Sequence, residues 1–195
     1  MNMRMMFVLT FIGLVFLWMI LASNELTPSK RNAVLLPTRK LFCAMVENNM
    51  CRENGAPWIN PAAFTNSADF IQALFGMRGG TVSDLGGYTN IWCVVVNTPD
   101  DDIFPVLFTA NINLSELLYG EDGQRRLLLT CPKKWGGECF GFCEKAALLI
   151  RKGGAAQLIK KMNVLEKPIF PVDKIVQPEV TFILTPTGRV SFVKR

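Results

Sequence analysis

The longest feature of the hydropathy pattern is an unbroken apolar run from Met5 to Ala22, MMFVLTFIGLVFLWMILA, preceded by a short arm whose one charged side chain is Arg4. It is apolar all round, with no polar stripe to mark a surface helix. Its 18 residues stand at the short end of what crosses a hydrocarbon core of roughly 30 Å. The pattern predicts a membrane anchor over residues 1–23. Two other readings stay open. A cleaved signal would end at Ile20-Leu21-Ala22 before Ser23-Asn24, although its apolar stretch is long for that purpose. A buried core helix is the other. Arg4 on one side and Lys30, Arg31, Arg39 and Lys40 on the other fix orientation only weakly.

Beyond the run, Pro28 and Pro37 argue against an unbroken helix between Asn24 and Pro37. A helix is predicted from Thr38 as N-cap to Asn54, with Leu41, Phe42, Met45, Val46 and Met50 at helical spacing and Gly55 and Pro57 beyond it. Residues 24–57 therefore read as a linker and an amphipathic stem helix. Asn66 or Ser67 caps a short helix, about Ala68 to Phe75, ended by Gly76 and Gly79-Gly80. The pattern then turns to strands. IWCVVVN (91–97) and FPVLFTANI (104–112) form an antiparallel pair around Pro99-Asp100-Asp101-Asp102. GEDGQ (120–124) is a turn before RRLLLT, and the runs within 146–161 suggest a hairpin about Gly153-Gly154. A helix over Ala155 to Met162 is the alternative there. The clearest hairpin lies in 180–194, about Thr185-Pro186-Thr187-Gly188. The expected fold class is α+β: an N-terminal hydrophobic helix and helical stem, then an antiparallel sheet domain over residues 58–195.

Composition narrows the chemistry. The chain has 195 residues, half of them apolar, and no histidine. That removes Ser-His-Asp and Cys-His nucleophile systems and every His-ligated metal. The net charge of +5 conceals opposed blocks: residues 47–124 carry ten acids and two bases, and residues 125–167 carry ten bases and three acids. Such blocks are either solvated faces or complementary surfaces between like subunits. Bases beside exposed aromatics, the usual footprint for nucleic acid, are not the pattern, so no nucleic-acid partner is expected.

Six cysteines lie at positions 43, 51, 93, 131, 139 and 143. An even count beyond a membrane segment suits disulfides, and spacing alone does not choose the pairing. Cys43 and Cys51, eight apart on the predicted helix, would be separated by roughly 12 Å and so could not bridge. Cys131, Cys139 and Cys143, with the remote Cys93, are the candidates for a disulfide. Free buried thiols and a zinc site are the alternatives, though the spacings do not match common zinc sites. A redox Cys-x-x-Cys is missing, which weakens a thiol enzyme. Asp100, Asp101 and Asp102 lack the spaced oxygens of a calcium loop and read as a solvated turn. The Gly79-Gly80 and Gly86-Gly87 pairs lack phosphate-loop spacing. Asn113-Leu114-Ser115 fits a glycosylation acceptor. Trp58, Trp92 and Trp135 read as core or edge aromatics. No nucleophile–base pair emerges, so no catalytic residue, metal or cofactor is expected.

The order of segments resembles the type IV pilin-like and type II secretion pseudopilin proteins of the prepilin type. The resemblance rests on the hydrophobic N-terminus, LFCAMVENNMCRENGAPWIN, NSADFIQAL, IWCVVVN, FPVLFTANIN and ALLIRKGGAAQL, and covers most of residues 1–162. It implies a non-catalytic subunit anchored in the bacterial inner membrane, single-pass, with its globular part in the periplasm. Its partners would be the membrane, like subunits or other pilin-like proteins, and secretion-assembly components. The family's cleavage motif is degenerate here: Met6 stands in place of glycine, Phe7 opens the motif, and Phe11 stands in place of glutamate. Ala110 also stands where relatives often place arginine. The expectation is a pilin-like subunit or accessory protein of a type II secretion or type IV pilus-like system. A membrane-tethered periplasmic binding domain that does not polymerise is the alternative. Because the cleavage motif is degenerate, the mature chain is expected to keep its first residues. Intact-mass measurement on protein from native membranes checks this, and a mass starting at an N-methylated Phe7 contradicts it.

Overall fold

Proline at the first position of a helix is well placed, because its missing N–H would have no partner there anyway. Pro28 opens α1 (Pro28–Glu47) in that way. The computed structural model describes residues 27–51, 56–77, 79–81, 85, 88–119, 129, 142–160 and 169–193, with residues 12 and 14. Pro37 lies inside α1 and does not end it. Beside it the Thr38 hydroxyl donates to the Val34 carbonyl at 2.6 Å. The helix stops at a Schellman turn: Asn49 adopts φ 60°, Met50 N–H donates to the Met45 carbonyl and Asn49 N–H to that of Val46. The Asn48 side chain then clasps Ile59 through both backbone groups, at 2.9 and 2.8 Å. The expected start at Thr38 is thus ten residues late, and the expected end at Asn54 overshoots.

The helix α2 (Ser67–Met77) begins as the capping pattern requires. The Asn66 carboxamide oxygen accepts from Asp69 N–H at 2.9 Å, and its NH2 donates to the Asp69 carboxylate at 2.8 Å. Gly79, at φ 65°, ends the turn that follows. A six-residue helix, α3 (Leu114–Tyr119), lies between the second and third strands.

Six strands form one antiparallel sheet: β1 (Trp92–Val96), β2 (Pro105–Thr109), β3 (Ala146–Arg151), β4 (Ala156–Lys160), β5 (Phe182–Thr185) and β6 (Gly188–Ser191). Their order is β4-β3-β2-β1-β5-β6. All three expected hairpins are present, β1 with β2, β3 with β4 and β5 with β6. The segment from Ala156 is a strand and not the alternative helix.

Both faces of the sheet are covered, so β1 reads as a continuous apolar run with no alternation. On one face Trp92, Val94 and Val96 pack with the α1 stripe Val34, Leu41 and Met45 and with Phe70, Ile71 and Leu74 of α2. On the other, Cys93, Val95, Phe108 and Ile183 pack under Ile169, Phe170, Ile175 and Phe192. Rings there meet edge-on, with Phe108 and Phe170 centroids 5.3 Å apart. A register shift between Pro105 and Leu107 turns both Val106 and Leu107 to the helix face while Phe108 faces the other way. Edge strand β6 is pinned by Arg189, whose guanidinium donates to the Ala62 carbonyl at 2.7 Å and lies 4.9 Å from the Phe182 ring centroid.

The pilin-like fold class is therefore corrected. The dominant element is the six-stranded sheet, and α1 lies in its core, with Val34, Leu41 and Met45 fully buried. It is not a helical stem standing apart from a globular domain. The physical reason is the spacing of Val34, Thr38, Leu41 and Met45, which makes a buried stripe across the prolines that had suggested a linker. Among the described residues no helix is long and apolar enough to cross a membrane. The run Met5–Ala22, apart from Ile12 and Leu14, lies outside the described residues.

Both helices meet at Trp92. Its indole N–H donates to Thr38 Oγ1 at 2.8 Å, and its carbonyl accepts from the Ser67 hydroxyl at 2.6 Å, all buried. Trp92→Phe and Thr38→Val are each expected to cost about 1–3 kcal/mol, for a lost buried hydrogen bond and altered packing. The double variant should cost less than the sum. Urea unfolding followed by circular dichroism checks this, and strict additivity contradicts the coupling.

Candidate functional site

Cys93 is a free thiol, 2% exposed, in the far-face core. Burial pushes its pKa well above the ordinary thiol value. Cys143 is buried on the helix face, where its backbone carbonyl accepts from the Asn111 NH2 at 2.8 Å. The sheet separates these two cysteines, so the fold does not bring them together. Cys131 and Cys139 lie outside the described residues, as do Trp135, the 120–124 turn and Met6, Phe7 and Phe11. Cys43 is exposed on α1, whereas Cys51 lies past the Schellman turn and is half-buried. The two do not share a helix as expected. Burial pushes the Cys51 thiol up to about 11, against the opposing effect of the Lys152 charge. Among the described residues no three His, Cys, Asp or Glu side chains gather as a metal site would need.

The aspartate triplet has become a clasp. Asp100 pairs with Lys152 at 2.8 Å. Asp101 pairs with Lys174 and accepts from Ile103 N–H at 2.9 Å. The Lys174 hydrogen bond, then that of Ile103, holds the Asp101 carboxyl below the usual carboxylate range. Asp102 meets the β3–β4 turn, where Gly153 N–H donates to its carbonyl at 3.0 Å. A Cβ on Gly153 would lie 3.1 Å from that of Asp102, so glycine permits the approach. Two of the three carboxylates already face ammonium groups, so the cluster has little charge left to attract a cation. Of the tryptophans, Trp92 is core, as expected, while Trp58 is 74% exposed and not a core aromatic.

An open concavity lies along the outer side of α1. It is a groove of about 760 Å³, within the range of small-molecule and peptide sites. Asn32, Leu36, Arg39, Lys40 and Cys43 line it from α1, and Phe75 closes the α2 side. These α1 positions recur every three or four residues, opposite the buried stripe. Leu36 is 59% exposed there, an apolar side chain with no cover. Among the described residues neither Arg39 nor Lys40 has an ion-pair partner. The groove thus combines an apolar floor with a basic rim. Sequence reasoning missed it because Asn32 and Leu36 were assigned to a linker. The usable signal was the spacing of Asn32, Leu36, Arg39 or Lys40, and Cys43, which becomes visible only once the helix begins at Pro28.

Comparison with protein-family models, with curated proteins and with solved structures returns no match to this chain.

The thiol placements give a direct check. Of the described thiols in the folded chain, iodoacetamide should modify exposed Cys43 first and half-buried Cys51 more slowly, because burial both screens the Cys51 thiol and disfavours its thiolate. Cys93 should react only after unfolding. Peptide mapping by mass spectrometry reads this order, and early labelling of Cys93 contradicts it.

Proposed function

We propose that this chain is a membrane-tethered, non-catalytic domain that works by binding another protein. The observation that carries the reading is the open outer face of α1, where exposed Leu36 lies beside Arg39 and Lys40 in a groove of about 760 Å³. An uncovered apolar side chain among cations that lack partners among the described residues is the chemistry of a docking surface. The tether is supported by the run Met5–Ala22, which ends five residues before Thr27. Chemistry through Cys51 or Cys93 is disfavoured, because burial raises both thiols and leaves little thiolate. The missing histidine removes the commonest general base.

The other reading, a pilin-like subunit or accessory protein, keeps the resemblance in segment order as its support. Its electrostatic argument is weaker than the charge blocks suggested. Asp100, from the acidic block, pairs within the chain with Lys152 of the basic block, and Asp101 with Lys174 beyond it, so part of the opposition is satisfied internally.

The tethered-binder reading expects the full chain to stay with membranes through alkaline extraction, and removal of residues 5–22 to release it. It also expects lysine-directed cross-linking in intact cells to give discrete adducts with a different protein. Recovery in the soluble fraction, or adducts of the chain with itself alone, contradicts the reading.

A further inference from the structure

The groove on α1 restricts what its occupant can be. From Asn32 to Cys43 the helix rises about 16 Å, room for about three turns of a second helix laid alongside. Among the described residues its lining carries Arg39 and Lys40 and no acidic side chain. Over its whole length α1 bears Lys30, Arg31, Arg39 and Lys40 against the single acid Glu47. The apolar part, Leu36 and Pro37 with Phe75 across from them, lies one helical turn from the two cations.

Building on the reading above, we propose that this groove takes an acidic, amphipathic segment of a partner protein, docked as a helix. Such a segment would set apolar residues at three- or four-residue spacing against Leu36 and Pro37, and carboxylates on its flank against Arg39 and Lys40. Charge complementarity selects the sign of the partner, and exclusion of water from Leu36 supplies affinity. A bilayer surface offers anionic headgroups as well, but it is flat. Here Phe75, at the end of α2, walls one side of the concavity, and a lipid surface would leave that side unfilled. The segment is therefore favoured over a membrane.

The test uses the full chain in nanodiscs of neutral lipid, with a random peptide library of about 15 residues as probe, a length near the minimum for helix formation. The selected peptides should be enriched in Asp and Glu. They should also slow iodoacetamide alkylation of Cys43 by about fivefold or more, the scale of one well-placed charge pair, while leaving Cys51 unchanged. In the Arg39→Glu, Lys40→Glu double variant the same selection should turn to Lys- and Arg-bearing peptides. Vesicles rich in phosphatidylglycerol, added in place of peptide, should leave Cys43 reactive. The proposal is overturned by peptides with no acidic bias, by peptides that do not protect Cys43, or by protection from the vesicles alone. If it fails while membrane retention and protein adducts persist, the binding reading stands and only the site is wrong. If retention and adducts fail, that reading falls whatever the peptides do.

Discussion

The indole of Trp92 is the contact on which the rest of the arrangement depends. The residue sits in β1, inside the sheet, with its indole N–H on Thr38 of α1 and its backbone carbonyl accepting from the Ser67 hydroxyl at the start of α2. Removing either partner would leave a buried polar group unpaired, which costs more than the bond itself contributes. Thr38 also serves α1 internally by donating to Val34, next to Pro37, which has no N–H to give. One buried hydroxyl thus links the weakest turn of the helix to the centre of the sheet. With that inner face held, the opposite stripe of α1 has to face outward, and Leu36 is left uncovered.

The far face is held differently. Among the described residues no long helix lies over it, and its cover there is the segment Ile169 to Ile175 with Phe192. Phe104, Phe108, Phe170 and Phe192 interlock by their edges. Polar ties at the rim complete it. The Asn97 side chain donates to the Val180 carbonyl at 2.9 Å, and Thr181 returns a hydrogen bond to the Asn97 carbonyl at 2.9 Å. The aspartate clasp joins the β1–β2 loop to Lys152 and Lys174 in the same way. The acidic triplet therefore serves the fold.

Local chemistry made part of this legible in the sequence. The three hairpins follow from apolar runs separated by Asp-, Pro- and Gly-bearing turns, and the Asn66 cap follows from Asn66 and Asp69 three residues apart. What was not legible was non-local. Pro28 and Pro37 read as breakers because their local effect is unfavourable, and the compensation comes from the sheet, whose Trp92 lies 54 residues beyond Thr38. The aspartates read as a solvated turn because Lys152 and Lys174 lie 52 and 73 residues downstream. Cys93 and Cys143 could be grouped in sequence, but Cys93 faces the far side of the sheet from β1, whereas Cys143, in the helical turn just before β3, packs on the helix face. The groove was hidden by the same misplaced helix boundary. Resemblance of segment order carried no information about whether α1 stands off from the sheet or lies upon it.

The central claim is that α1 is an integral layer of the sheet domain, which leaves its outer face open. Native-state hydrogen exchange of the full chain tests this most directly, because it reads the free energy of opening segment by segment. Amides from Val34 to Met45 should be protected to the same degree as those of β1 and should open with them. Protection of β1 combined with rapid, independent exchange across α1 would contradict the account.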